Sequence, residues 1–291
     1  MMDALRELAY DSLCRSPNRF GRGLSKADSR DGGWWLCEDK GMLQTRGSCA
    51  IYSVGTGYNP SFDLELARAW PSCRVIMLDP TPTVAMTLTA NESLWSSLSS
   101  GELCVTSAPL RLAEVSCAIV ISRPRRQPFQ PTAQTRRAMA NHANDSPVRL
   151  RSFKAALDAQ RNLVHVPWGL AHVDNTDAWM RNHWTLPARV RGLTMLTLES
   201  IMRRLGRPPS VLKLDIEGGE QEILARNASM LTSSPAKQLL LELHGSMEFW
   251  PLLEAAAAAG YAVWRAEENA DRRVASKGGK NVVVSLLKSG C

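Results

Sequence analysis

The sequence lacks the long apolar run that a membrane-spanning helix requires. No apolar stretch reaches the roughly 20 residues needed to cross a bilayer, and the longest candidate, LLEAAAAAGYAVW, contains Glu254. The first 20 residues have neither a basic start nor a continuous apolar core, so they do not resemble a signal peptide. We therefore expect no transmembrane segment, with the cytoplasm as the default compartment.

The seven cysteines match no common metal-binding or disulfide framework. Their number is odd, their spacing is wide, and no C-x-x-C motif occurs, which argues against a zinc site or a disulfide-rich scaffold. We therefore expect reduced thiols, as in an intracellular protein. Cys37 and Cys49, which flank the start of the predicted fold, are the pair to test for a disulfide.

The net charge of +7 comes largely from one segment. Residues 123–151 contain seven arginines, one aspartate and four prolines, and they show no apolar periodicity. This composition predicts a disordered insertion at about 99–151. The alternative is a tail that contacts nucleic acid, an anionic glycan or a membrane, but only Phe129 supplies an aromatic ring, so a nucleic-acid partner is disfavoured.

Outside this segment, short apolar runs alternate with helical patterns, which is typical of an α/β fold with a mainly parallel sheet. An amphipathic N-terminal helix is predicted first, with Leu5, Leu8 and Leu13 on one side. A strand that runs into a glycine turn is predicted at 49–57, and a strand with its following loop at 162–172. The other predicted strands are 73–79, 210–216 and 237–245, followed by a terminal antiparallel pair at 261–267 and 281–288. The predicted helices are 60–70, 83–98, 196–206, 219–231 and 249–260.

Polar residues or glycines stand at the end of every predicted parallel strand. In an open α/β sheet, ligands bind beyond the carboxyl ends of the strands, at the point where strand order reverses. These residues should therefore share one crevice. They are Gly55, Gly57, Asp79, Trp168, Gly169, Asp215, Glu217, Glu242 and His244.

The turn VGTGYNP after the first strand favours a nucleoside ligand. Gly55 and Gly57 allow close approach of the backbone to a ligand, and a helix start follows. Pro60 occupies the position of the third glycine in the dinucleotide pattern, which argues against an NAD-binding turn. Asp79, 22 residues after Gly57 at the end of the next strand, could accept hydrogen bonds from both hydroxyls of a ribose.

Several blocks resemble the FkbM-type S-adenosylmethionine-dependent methyltransferases, most closely the methyltransferase-like 24 group. They are DGGWWLCEDKG, CAIYSVGTGYNPSFDLELA, VIMLDPTP, LTLESIMRRLG, VLKLDIEGGEQEIL, QLLLELHG and AAGYAVWRAEEN. The resemblance covers about residues 31–98 and 162–287, and its most specific part is K-x-D-x-E-G-x-E. It implies a Rossmann-like class I methyltransferase fold, with a mainly parallel seven-stranded sheet and a terminal antiparallel strand pair. We therefore predict a methyltransferase domain at 31–291 after a helical extension at 1–30.

The resemblance also implies S-adenosylmethionine as the cofactor and assigns residues to its site. Ser53 departs from the pattern because FkbM-type loops usually carry an acidic residue there, which puts a contact to the cofactor's amino group in doubt. The cofactor-binding set is Ser53, Gly55, Gly57, Asp79, Trp168, Gly169 and Asp215.

Methyl transfer to a hydroxyl requires a base that removes the proton. His244 is the best candidate, with Asp215 and Glu217 as further catalytic candidates; a structural histidine at a loop end is the competing interpretation. A less favoured variant has Asp215, Glu242 and His244 bind one divalent metal ion. Lys213 is expected to pair with a carboxylate inside the sheet.

The predicted function is O-methylation of a glycan or a small hydroxylated acceptor. Base methylation of nucleic acid is disfavoured because no D/N-P-P-Y/F block follows the fourth strand. One alternative is a non-catalytic binding module that retains the methyltransferase fold. Another, a nucleotide-dependent oxidoreductase, is disfavoured by Pro60. The sequence gives neither the specific acceptor nor the oligomeric state.

Overall fold

The computed structural model describes nine segments of the chain and six further positions. The segments are 9–21, 33–39, 49–57, 59–80, 159–181, 189–216, 228–244, 249–268 and 281–289, and the single positions are 5, 7, 156, 219, 220 and 223. The predicted insertion at about 99–151 and the predicted helix at 83–98 lie outside the described residues.

A seven-stranded sheet forms the centre of the protein. Its strands, in chain order, are β3 (Cys49–Val54), β4 (Cys73–Leu78), β5 (Leu163–Val166), β9 (Val211–Leu214), β10 (Gln238–Leu243), β11 (Tyr261–Glu268) and β12 (Val282–Lys288). Their order across the sheet is β11-β12-β10-β9-β3-β4-β5. Every residue of β3, β9 and β10 is buried, as expected for central strands covered on both faces.

The sheet has the arrangement of a Rossmann-like class I methyltransferase fold. Strands β10, β9, β3, β4 and β5 pair in parallel, and β12 runs antiparallel between β10 and β11. The predicted fold class, with its terminal antiparallel pair, is confirmed. Because the chain proceeds from β3 to β4 and β5 on one side and then to β9 and β10 on the other, the strand order reverses between β3 and β9.

Four described helices follow the predicted pattern. They are α1 (Ser61–Ala69), α2 (Leu198–Leu205), α3 (Ala228–Ser233) and α4 (Trp250–Ala258). Helix α2 begins at the cap residue Thr197, whose side chain accepts a hydrogen bond from the Ser200 amide at 3.2 Å. It ends at Gly206, which has a left-handed backbone conformation (φ 64°) and is therefore a favoured C-terminal residue.

The strand and loop predicted at 162–172 contain two strands that belong to different sheets. Strand β5 ends at Val166 in the main sheet, and β6 (Trp168–Leu170) belongs to a separate three-stranded sheet with β7 (Asn175–Arg181) and β8 (Arg189–Leu196). Pro167 lies between β5 and β6. Since proline has no amide hydrogen to donate to a strand ladder, it is a natural place for the chain to leave the first sheet.

The N-terminal region also differs from the prediction. A 3₁₀ turn at Asp11–Leu13 precedes β1 (Pro17–Phe20), so the predicted helix does not extend this far. Strand β1 pairs antiparallel with β2 (Trp34–Cys37), and this hairpin crosses the predicted boundary at residue 30. Leu5 is helical and fully buried in the main core. The extent of the methyltransferase domain stays a prediction.

The expectation of reduced thiols is contradicted by two disulfides. They join Cys14 to Cys37 and Cys49 to Cys73. The second joins directly paired positions at the start of β3 and β4. Cys37 and Cys49, the pair singled out from the sequence, are therefore both oxidised but with other partners. Sequence spacing could not reveal this, because the partners meet only after strand pairing.

The apolar core lies on both faces of the main sheet. The larger cluster packs side chains on one face of β3, β9, β10 and β12 against helices α2 and α4. The smaller cluster lies on the opposite face, where Trp34 of the hairpin and Phe62 of α1 pack against the sheet. None of the described helices is both long and apolar enough to cross a membrane.

Candidate functional site at the sheet switch point

The candidate site begins where β3 and β9 end side by side. Gly55 follows β3 with a positive φ of 78°, and its amide hydrogen-bonds to the carbonyl of Leu78 at 2.9 Å. A Cβ added at Gly55 would lie 1.6 Å from the carbonyl oxygen of Asp215. Only glycine therefore allows the two strand ends to approach this closely.

Gly57 and Asp79 form the part of the site predicted to bind a nucleoside. The amide of Gly57 donates a hydrogen bond of 2.8 Å to Oδ2 of Asp79, whose side chain is buried. Among the described residues, nothing lies within 4 Å of a Cβ added at Gly57. A glycine turn and a carboxylate at neighbouring strand ends fit the ribose end of a nucleoside cofactor.

The backbone after β4 is further fixed by His165. Burial lowers the pKa of His165 to about 4, against a smaller opposing effect of its hydrogen bond to the Asp79 backbone. The imidazole is therefore neutral near pH 7. Because its Nε2 lies 3.2 Å from the carbonyl oxygen of Asp79, this nitrogen must carry the proton and donate it.

Trp168 and Gly169, also predicted to contact the cofactor, lie in β6 of the small sheet. Trp168 is buried, and the guanidinium of Arg204 lies 5.6 Å from its ring centroid. A Cβ added at Gly169 would come within 2.3 Å of Sδ of Met195 and 2.9 Å of Cγ of Pro80. The small sheet therefore packs closely beside the Asp79–Pro80 corner, and a direct cofactor contact of Trp168 stays a prediction.

Lys213 has the structural role expected from its sequence position. Its ammonium donates to Oδ2 of Asp215 at 3.1 Å and to the carbonyl of Gly55 at 3.2 Å, and it lies 4.6 Å from the ring centroid of Trp34. The side chain is only 5% exposed, so these partners compensate for the cost of burying the charge. The predicted carboxylate partner is confirmed and is Asp215.

Asp63 is a buried carboxylate that the sequence analysis did not single out. It lies in the first turn of α1 and is 1% exposed. Burial raises its pKa to about 6, while the charge of Lys213 and the hydroxyl of Ser53 partly oppose the shift. Ser53, predicted as a weak point of the cofactor loop, therefore lies beside an acid supplied by the next helix. A charged residue between Phe62 and Leu64 was the available sequence signal.

Asp215 and His244 meet at the ends of β9 and β10, as predicted. Nε2 of His244 lies 3.7 Å from Oδ1 of Asp215. Nδ1 of His244 lies 3.4 Å from Oε1 of Glu220. Burial lowers the pKa of His244, but the contact with Glu220 and the charges of Glu242, Glu220 and Asp215 outweigh this effect and raise it to about 9. The imidazole is therefore mainly protonated at neutral pH.

Glu220 is the acid that the sequence analysis left out of the site. It stands at the start of the helix predicted at 219–231, and residues 219 and 220 are helical. Its side chain is 0% exposed, and the helix start turns it back toward the strand end. Glu217, which was predicted as a catalytic candidate, lies outside the described residues.

The charge pattern does not fit the metal site considered from the sequence. Glu242 accepts a hydrogen bond from Nδ2 of Asn281 at 2.9 Å. Glu220, not Glu242, has an atom within 4.8 Å of Asp215 and His244. The structure therefore brings together a different trio from the one considered in the sequence, and the Lys213 ammonium already supplies positive charge to Asp215 at 3.1 Å.

The chain has no match among protein-family models, nor among curated proteins. One solved structure to which this chain is similar is a 16S rRNA (adenine(1408)-N(1))-methyltransferase from Catenulisporales acidiphilia with its cosubstrate S-adenosylmethionine. The two chains are 11% identical, with a TM-score of 0.31 over 83% of this chain and 86% of that one. The 16S rRNA methyltransferase KamB is 12% identical, with a TM-score of 0.34 over 93% of this chain and 100% of its own.

The antibiotic-resistance methyltransferase Kmr is 11% identical, with a TM-score of 0.33 and the same coverage, 93% and 100%. Scores this low carry no argument about activity or substrate. The fold assignment therefore rests on the strand order itself, and the narrower resemblance to FkbM-type methyltransferases stays a prediction.

Proposed function

We propose that this protein is an S-adenosylmethionine-dependent methyltransferase that O-methylates a saccharide or another small hydroxylated acceptor. The observation that carries the proposal is the meeting of a glycine turn, a buried Asp79 and an Asp215–His244 pair at the switch point of one sheet. In this fold class, that position is where cofactor and substrate are brought together.

The cofactor would be held by the residues around the two central strand ends. Gly55 and Gly57 leave the backbone accessible, and the Asp79 carboxylate would accept hydrogen bonds from ribose hydroxyls. When bound, S-adenosylmethionine supplies an electrophilic methyl group on a sulfonium sulfur. The protein's main contribution to such a displacement is alignment of the acceptor and exclusion of water.

His244 is the proposed base for the acceptor hydroxyl. Only the neutral imidazole can accept the proton, and a pKa of about 9 leaves roughly 1% of it neutral at pH 7. A base with this pKa predicts a rate that rises about tenfold per pH unit from pH 7 toward pH 9. Asp215, which faces His244 and is held by Lys213, would stabilise the imidazolium formed after proton transfer.

The test is transfer of a labelled methyl group to a panel of saccharides and small hydroxylated compounds, with RNA as a comparison acceptor. We expect labelling of a hydroxylated acceptor, and we expect His244→Ala to keep cofactor affinity while losing turnover. Wild-type turnover in His244→Ala, or labelling of RNA alone, would contradict the proposal.

A binding module without turnover is the second candidate. It is favoured by the acids that lie against His244, because they raise the pKa of the imidazole to about 9 and an imidazolium is no base at neutral pH. The two candidates differ in one outcome: a binding module would bind S-adenosylmethionine but transfer no methyl group at pH 7 or pH 9 to any acceptor in the panel.

A further inference from the structure

The buried carboxylate of Glu220 contacts the candidate base from the side away from Asp215. Glu220 is fully buried, and its Oε1 accepts a hydrogen bond of 2.6 Å from the Ile216 amide. This bond ties the side chain to the turn that follows β9. The same oxygen lies 3.4 Å from Nδ1 of His244.

We propose that Glu220 is a positioning residue that fixes the His244 ring, holding the Nδ1 proton toward itself and leaving Nε2 to face Asp215 and the acceptor. The assignment of Nε2 as the proton-accepting atom rests on the proposed function, but the orientation of the ring does not. Glu220 itself touches no reacting atom.

The orientation follows from the two different neighbours of the imidazole. The nitrogens of histidine are distinct, and the one that acts as a base is set by the hydrogen bond that the other makes. An ionised carboxylate accepts hydrogen bonds and donates none, and Glu220 lies nearer to Nδ1, at 3.4 Å, than Asp215 lies to Nε2, at 3.7 Å, so the form with the hydrogen on Nδ1 is favoured. Nε2 is the nitrogen nearer to Asp215, at 3.7 Å from Oδ1, and it is then left to exchange its proton.

The remaining charges near His244 come from neighbouring strands. Strand β9 presents Lys213 followed by Asp215, which are paired at 3.1 Å, and β10 presents Glu242, which accepts from Asn281. Glu220 accepts from the Ile216 amide through the same oxygen that lies 3.4 Å from Nδ1 of His244, so its carboxylate reaches the ring from a fixed position.

The competing explanation is that Glu220 only satisfies the Ile216 amide. Glu220→Gln separates the two roles because the amide oxygen of glutamine can still accept from Ile216 while the negative charge is lost. Glu199→Gln is the matched control, since Glu199 is 79% exposed and pairs with Arg203 on α2.

The experiment is a titration of the His244 ring by NMR in the wild type and in both variants, with His244→Asn used to assign the signal. We expect Glu220→Gln to lower the pKa of His244 by about one unit or more, a tenfold loss of proton affinity. Glu199→Gln should leave it unchanged. An unchanged pKa in Glu220→Gln overturns the proposal.

A second measurement uses the wild type alone and stands even if Glu220→Gln does not fold. Ring ¹⁵N shifts above the pKa report which nitrogen holds the proton. The proposal predicts a proton on Nδ1, and a neutral form protonated on Nε2 overturns it. If these results hold but no cofactor binds, the positioning role stands and the methyltransferase proposal fails. If methyl transfer depends on His244 but the pKa of His244 does not change in Glu220→Gln, the methyltransferase proposal stands and the positioning role fails.

Discussion

Replacing Gly57 by alanine should separate ligand binding from folding at the proposed cofactor turn. Gly57 has a φ of 57°, and an added Cβ would meet none of the described residues within 4 Å. The substitution should therefore lower the free energy of unfolding only by the cost of the left-handed backbone, about 1 kcal/mol. The added methyl group would project into the space that we assign to the cofactor.

Gly55→Ala is the contrasting variant in the same turn. Its Cβ would lie 1.6 Å from the Asp215 carbonyl oxygen, and its φ is 78°. No rotamer change can relieve an overlap with backbone, so β3 and β9 must move apart. We expect a loss of roughly 3 kcal/mol or more in the free energy of unfolding, from backbone strain and overpacking together.

Urea unfolding measures the stability of both variants, and calorimetry with S-adenosylmethionine measures binding. We expect Gly57→Ala to remain folded and to lose at least about tenfold in affinity, equivalent to about 1.4 kcal/mol. Unchanged affinity in Gly57→Ala would show that the turn does not border the ligand. Wild-type stability in Gly55→Ala would contradict the close approach of the two strand ends.

Two further predictions concern stability. Peptide mapping without reduction should recover Cys14–Cys37 and Cys49–Cys73. Because these partners are 23 and 24 residues apart, removing either bond should lower the free energy of unfolding by about 3 kcal/mol. Complete alkylation of the four thiols in unreduced protein would refute both bonds. Burial raises the pKa of Asp63 from 3.8 to about 6, so the folded state binds the proton of this carboxyl group more tightly than the unfolded state does. The stability that this proton contributes is therefore present below about pH 4 and lost as the pH rises to about 6. Asp63→Asn should therefore gain up to about 3 kcal/mol over the wild type at pH 7 but not at pH 4 in urea unfolding, and an equal difference at both pH values would count against the buried acid.

The architecture of the main sheet could be predicted because its strands are continuous apolar runs with polar ends. Residues 211–214 and 238–243 are buried at every position, which fits the central location expected of such runs. The location of the crevice could be predicted as well, because the carboxyl ends of parallel strands lie at the same edge of a sheet. Gly55 and Asp215 do lie together in the structure, and so do Asp215 and His244.

The contacts between distant segments could not be predicted in the same way. Glu220 and His244 are separated by 23 other residues, and they meet only because the turn after β9 directs the acid back toward β10. Trp34 reaches Lys213 from the hairpin of β1 and β2, whose first strand lies in the predicted helical extension. Short segments such as Pro17–Phe20 are too brief for periodicity to distinguish strand from helix.

The central claim is that the switch point binds S-adenosylmethionine, and calorimetric titration of the unmodified protein tests it most directly. We expect saturable binding at one site per chain, which Asp79→Ala weakens. We also expect a thermal shift, because saturation at 100 times the dissociation constant should add about 2.7 kcal/mol to the free energy of unfolding. No heat of binding and no thermal shift at millimolar cofactor would contradict it.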